Sequence, residues 1–152
     1  MPGPRIRGGN KVLTVEKAVK AIETVRKLLP LIGIGSPIVK HGPRGETRVD
    51  IPLVYNGIAL DRIHYNPIDK SFYPKGAPPH TGKTSINLYE SAGELLRELR
   101  VLDAVEYREP ENCWVVPLAW RSFIVAHVKV DVNGEEIVPD YGLTAEMSGR
   151  IV

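Results

Sequence analysis

Apolar residues recur at steps of three and four through Val15, Ala18, Val19, Ile22, Val25, Leu28 and Leu29, while Glu16, Lys17, Lys20, Glu23, Arg26 and Lys27 fill the opposite side. This period predicts an amphipathic helix with its stripe turned to a core. Thr14 suits the N-cap, and Pro30 closes the far end because the residue before a proline avoids the helical region. A second stripe, Leu88, Ala92, Leu95, Leu99 and Leu102, predicts another helix. Two starts are open for it. Ser85 takes in the whole stripe; Ser91 heads the capping box Ser91-Ala92-Gly93-Glu94, with Ile86–Tyr89 then a strand. The later start is preferred, because Gly93 inside a longer helix costs about 1 kcal/mol relative to alanine.

Elsewhere the period is two. Asn56-Gly57 suits a type I′ turn, whose two central residues both need positive φ. A two-residue turn there pairs Tyr55 with Ile58, Leu53 with Leu60, Ile51 with Arg62 and Val49 with His64 on one face, and Asp50 with Ile63 on the other. Pro52 then takes a position that donates nothing to this partner, so strand 46–55 is expected at a sheet edge, or bulged at Pro52. "LIGIG" and "PIVK" within residues 30–45 each allow a short strand, as does Ser71–Tyr73. After the second helix, Ala104–Glu109 and Cys113–Leu118 flank a turn at "PEN". Phe123–Val132 alternates cleanly, with His127 on its more polar and exposed side. Asn133-Gly134 repeats the hairpin signal into Glu135–Val138, which Pro139 ends. The expected fold class is α+β: a mainly antiparallel sheet with two principal helices packed on one face. The expected organisation is a flexible basic arm at 1–11, a single domain at 12–138, and a patternless C-terminal tail at 139–152.

Composition narrows the setting. A chain of 152 residues buries about two thirds of its unfolded surface, so its core needs no metal or disulfide. A hydrophobic share of 43% and a charged share of 25% fit a globular domain and argue against disorder throughout. The net charge of +2 neither demands nor excludes a polyanionic partner. No apolar run reaches the roughly 20 residues of a membrane span, and a cytoplasmic setting is the expectation. Cys113 is the single cysteine, so no intramolecular disulfide forms. The absence of glutamine, beside 13 prolines, fits a protein from a hot environment.

The sharpest chemical lead is Ala77–Thr84, "APPHTGKT", which satisfies a relaxed phosphate-loop pattern. It lacks what such a loop needs. No buried strand precedes it, and Pro78 and Pro79 have no N–H where the phosphate cradle belongs. An ATPase or GTPase is therefore not expected. A weaker anion site remains if the helix starts near Ser85: the amides of Gly82, Lys83, Thr84 and Ser85 then sit at its positive end, beside the Lys83 ammonium. The alternative is a solvated loop whose Thr or Ser caps the helix.

The segment 64–85 also interleaves Tyr65, Phe72, Tyr73 and His80 with Lys70, Lys75 and Lys83, a mixture that suits stacked bases and phosphates. Arg5, Arg7, Lys11, Arg44 and Arg48 extend it. The four histidines, His41, His64, His80 and His127, have no metal-ligand spacing, so neither a metal nor a cofactor is expected. His64 is read as a partly buried structural residue, and Cys113 as a packing residue. The functional expectation is a binding or accessory domain, without evident catalytic residues, that takes a phosphate-bearing ligand, nucleic acid foremost. The expected site comprises His64, Lys70, Tyr73, Lys75, His80, Gly82, Lys83, Thr84 and Ser85. Two alternatives stand beside it: an enzyme acting on a phosphorylated small molecule through His64, His80 and Lys83, and a homo-oligomer joined through edge strand 46–55.

Overall fold

The structure, a computed structural model, describes residues 5–8, 11–66, 71–76, 80–81 and 89–148. Strands β1 (Arg5–Gly8) and β2 (Lys11–Thr14) pair as an antiparallel ribbon. Helix α1 (Val15–Leu28) follows at once, and Thr14 Oγ1 accepts the Lys17 N–H at 3.2 Å as its N-cap. Ala21, Ile22, Val25 and Leu28 bury its apolar face. A 3-10 turn containing Pro30 ends it. The period-three-and-four stripe and its caps thus produce the expected helix.

The next six strands form one sheet: β3 (Gly33–Ile34), β4 (Ile38–His41), β5 (Glu46–Tyr55), β6 (Ile58–Asn66), β7 (Ser71–Tyr73) and β8 (His80–Thr81). The Asn56-Gly57 turn forms as expected, with φ of 50° and 80°. Its register then departs from the expectation. Tyr55 pairs with Ile58 and Val54 with Ala59, but Leu53 pairs with Asp61, so Leu60 is an extra residue in a β-bulge. The cause is burial. Without the bulge, Arg62 and His64 would share the face of Val49 and Ile51. With it, Ile63 and Tyr65 turn to the core, and Asp50 meets His64 instead of Ile63.

Strand β5 is not an edge, which corrects both the strand reading and the homo-oligomer reading built on it. β3 and β4 pair along one side of β5, and β6 and β8 share the other. Pro52 is tolerated because β3 stops opposite Leu53 and β4 resumes opposite Asp50. The ladder is broken where its N–H is missing, and its carbonyl accepts the Gly35 N–H at 2.9 Å.

The second sheet contains β9 (Arg100–Val101), β10 (Glu106–Arg108), β11 (Cys113–Trp120), β12 (Phe123–Asp131) and β13 (Ile137–Val138). All described strand pairs in both sheets are antiparallel. The described part of α2 (Tyr89–Glu98) begins two residues before Ser91, which therefore lies inside the helix and not at its N-cap. A third helix, α3 (Tyr141–Met147), occupies part of the segment expected to be a tail. Asp140 caps it by accepting the Leu143 N–H at 3.0 Å, and Leu143 is fully buried.

One core joins both sheets, with Val25, Ile51, Ile63, Leu95, Leu118 and Val128 among its buried members. The sheets meet along β6 and β12, α1 packs on β11 and β12, and α3 packs on β6. The α+β class and antiparallel pairing are as expected. The single layer of two helices is replaced by three helices, because α3 attaches to the six-stranded sheet, where Arg62 binds Glu146 at 3.4 Å.

Candidate functional site

Part of the 64–85 segment is tied to the second sheet. Beyond β7 the chain passes through Pro74, and the Lys75 N–H donates to the Ile124 carbonyl at 3.1 Å. The Lys75 ammonium meets Asp61 Oδ2 at 2.8 Å, and that same oxygen accepts the His127 backbone N–H at 2.7 Å. Asp61 Oδ1 accepts the Arg62 N–H at 2.8 Å. One carboxylate thus fastens Lys75 and β12 to β6. The proline-rich segment is not a slack connector at this point.

These contacts bound a groove of about 570 Å³ between Lys75 and the β11–β12 hairpin. Leu102, Phe123 and Ile124 give it apolar surface, and Lys75, Arg100, Ser122 and His127 line it with polar groups. Arg100 is brought there by pairing with Ala119 on β11. Its Nη1 donates to the Arg121 carbonyl at 2.7 Å, and Arg100 meets no carboxylate among the described residues. Arg121 itself sits in the hairpin turn at φ 56°, stacks 4.1 Å over the Trp120 ring, and binds Glu94 at 2.7 Å. Phe123 packs edge-on against Trp120, with ring centroids 5.6 Å apart.

His127 is half-buried, which corrects the expectation of an exposed strand face. β6 packs against β12 here, so alternation along β12 does not report solvent. Burial first, and then the nearby Lys75 charge, hold the His127 imidazole below its ordinary value of 6.5, so it is neutral at pH 7. Cys113 is buried, and burial pushes its thiol above the ordinary value. It is a packing thiol, not an activated nucleophile.

His64 and Tyr73 lie elsewhere. They pair across β6 and β7 on the face turned away from the shared core. Asn66 Nδ2 donates to the Tyr73 hydroxyl at 3.1 Å. His64 Nδ1 lies 2.8 Å from Asp50 Oδ1, Arg62 reaches Asp50 Oδ2 at 3.2 Å, and Glu146 bridges from α3 to Arg62 and Lys40. Asp50 is completely buried. Burial raises its carboxyl, but the hydrogen bonds and charges of His64 and Arg62 outweigh this and hold it below its ordinary value of 3.8. This network joins β5, β6 and α3, a structural role that agrees with the reading of His64 as a partly buried structural residue.

Of the nine site residues expected from sequence, the structure brings Lys75 into the groove and places His64 and Tyr73 on the other face of the sheet. His80 is described by its backbone alone, opposite Thr47. That is three residue steps along β5 from the partner of His64, or about 10 Å. Lys70, Gly82, Lys83, Thr84 and Ser85 lie outside the described residues. Sequence reading missed Arg100, Ser122, Phe123 and His127. The only local signal was the polar pair Arg121-Ser122 between two strand patterns.

Compared with known proteins, the chain matches no family model, no curated protein and no solved structure.

Proposed function

We propose that this protein is a binding module for a phosphate-bearing ligand, with single-stranded nucleic acid the class that best suits the groove. The observation that carries the reading is Arg100: a guanidinium that lines a concave surface, hydrogen-bonds the Arg121 carbonyl through one nitrogen and meets no carboxylate among the described residues. Its other guanidinium N–H groups remain to meet a phosphate, and its planar fork suits paired oxygens. Lys75 lies on the same groove; its ammonium has three donors, of which Asp61 engages one edge. Phe123 offers a ring on which a base can stack, while Leu102 and Ile124 accept apolar surface.

Titration of labelled oligonucleotides by fluorescence anisotropy tests this. Binding should weaken steeply with salt, with a slope of about 0.7 per phosphate contact for single strands. Arg100→Gln should weaken all sequences alike, by about tenfold, and reduce the slope by about 0.7. Lys75→Ala should act in the same direction. Salt-independent binding, or unchanged affinity in Arg100→Gln, would contradict the proposal.

A further inference from the structure

We infer that the groove takes up its phosphate-bearing ligand together with a proton, and that His127 is the residue that receives it. This rests on the binding reading above and concerns how that site responds to pH.

His127 lines the groove with Lys75 and Arg100. Its cross-strand neighbour on β11 is Pro117, which carries no charge. From the turn after β7, Lys75 opposes an imidazolium; from β10, Arg108 opposes it and Glu106 favours it; from β6, Asp61 favours it. The favourable carboxylate of Asp61 is already occupied: it binds the Lys75 ammonium and the backbone N–H groups of Arg62 and His127. The free groove therefore holds cations beside a half-buried neutral ring, and the two carboxylates that favour its protonation are engaged by other cations, Asp61 by Lys75 at 2.8 Å and Glu106 by Arg108 at 3.8 Å.

A phosphodiester seated against Lys75 and Arg100 supplies the missing anion. An opposite charge at contact range favours the protonated ring, so ligand and proton bind with positive coupling. The proton comes from solvent, and no covalent bond changes. Between pH 8 and pH 5.5, affinity should rise about three- to tenfold, since one unit of pKa change on binding corresponds to a tenfold change in affinity. At pH 5.5 the salt slope should exceed that at pH 8, because a third cation has joined.

The probe is a short oligothymidylate without terminal phosphates, so that its own charge stays constant across this range. Wild type and His127→Gln are titrated at both pH values, and the His127 ring resonances are followed by NMR in wild type with and without the probe. Glutamine keeps the backbone N–H that donates to Asp61, and the NMR readout needs no substitution. The expected results are a gain in acid for wild type, little or no gain for His127→Gln whatever its affinity at pH 8, and an upward move of the His127 midpoint on binding. Equal affinity at both pH values, or a gain that persists in His127→Gln, overturns this inference and leaves the binding reading intact. Absence of binding at either pH overturns both.

Discussion

Asp50→Ala is expected to lower stability by about 3–5 kcal/mol, the range for removing one member of a buried ion pair. Asp50 has no exposed surface, and both its oxygens are engaged, one by His64 at 2.8 Å and one by Arg62 at 3.2 Å. Alanine leaves His64 Nδ1 without its acceptor and leaves Arg62 with Glu146, at 3.4 Å, as its remaining carboxylate. The attachment of α3 to β6 weakens with it. For a chain of this size the loss corresponds to a melting-point drop of about 6–20 °C. Asp50→Asn retains one acceptor oxygen, for His64, but sets an NH2 donor against the Arg62 guanidinium in place of the other, so it should recover only part of the loss and still cost about 2–3 kcal/mol. The pH dependence has a definite sign. The folded Asp50 carboxyl is held below its ordinary 3.8, so its contribution is fully present above that value and is lost as pH falls through the folded one. The gap between wild type and Asp50→Ala should therefore be constant at neutral pH and shrink in strong acid. Urea unfolding at a series of pH values measures this. A loss below about 1 kcal/mol at pH 7, the size of an exposed pair, would contradict the buried network.

Gly134→Ala is expected to cost about 2–4 kcal/mol, and Gly57→Ala only about 1 kcal/mol, although both glycines follow an asparagine in a turn between paired strands. Both have positive φ, at 76° and 80°. The backbone cost of placing alanine there is shared. The surroundings differ. A Cβ at Gly57 meets nothing within 4 Å, whereas one at Gly134 falls 2.6 Å from the Lys17 carbonyl oxygen and 2.9 Å from the Ala21 nitrogen. Those are backbone atoms of α1 and do not swing aside. The close approach also lets Thr24 Oγ1 donate to the Gly134 carbonyl at 2.6 Å, which locks the β12–β13 turn to the helix. The difference between the two variants isolates the docking of this turn on α1. Equal costs would mean that the helix and the turn are not held together as described.

Elements set by local chemistry were legible in the sequence. The α1 stripe, its Thr14 cap, the Asn56-Gly57 turn and the short strand Ser71–Tyr73 each follow from a period or from a residue with a restricted backbone, whereas at Asn133-Gly134 only the glycine takes positive φ and pairing resumes at Ile137, so the strand expected from Glu135 is shorter. What stayed hidden depends on distant partners. The bulge at Leu60 has no marker residue; it forms because the core gains Ile63 and Tyr65 when Arg62 and His64 turn outward. Pro52 suggested an edge, yet the break between β3 and β4 lets a proline sit within the sheet. Helix α3 buries Leu143 over only two turns, too few to reveal a period. The groove is harder still. Lys75, Arg100 and the pair Ser122 and His127 come from three separate parts of the chain, and the turn at Arg121 reaches positive φ without the glycine or asparagine that usually announces it.

The location of ligand binding tests the account most directly. Backbone amide resonances can be followed by NMR while a short oligothymidylate is added at low salt. The groove reading predicts that the largest shifts fall on Lys75, Ser122, Phe123, Ile124 and His127, and that they fade as salt is raised. Shifts centred instead on Arg48, His64 and Tyr73, on the opposite face of the six-stranded sheet, or no shifts at any salt concentration, would contradict it.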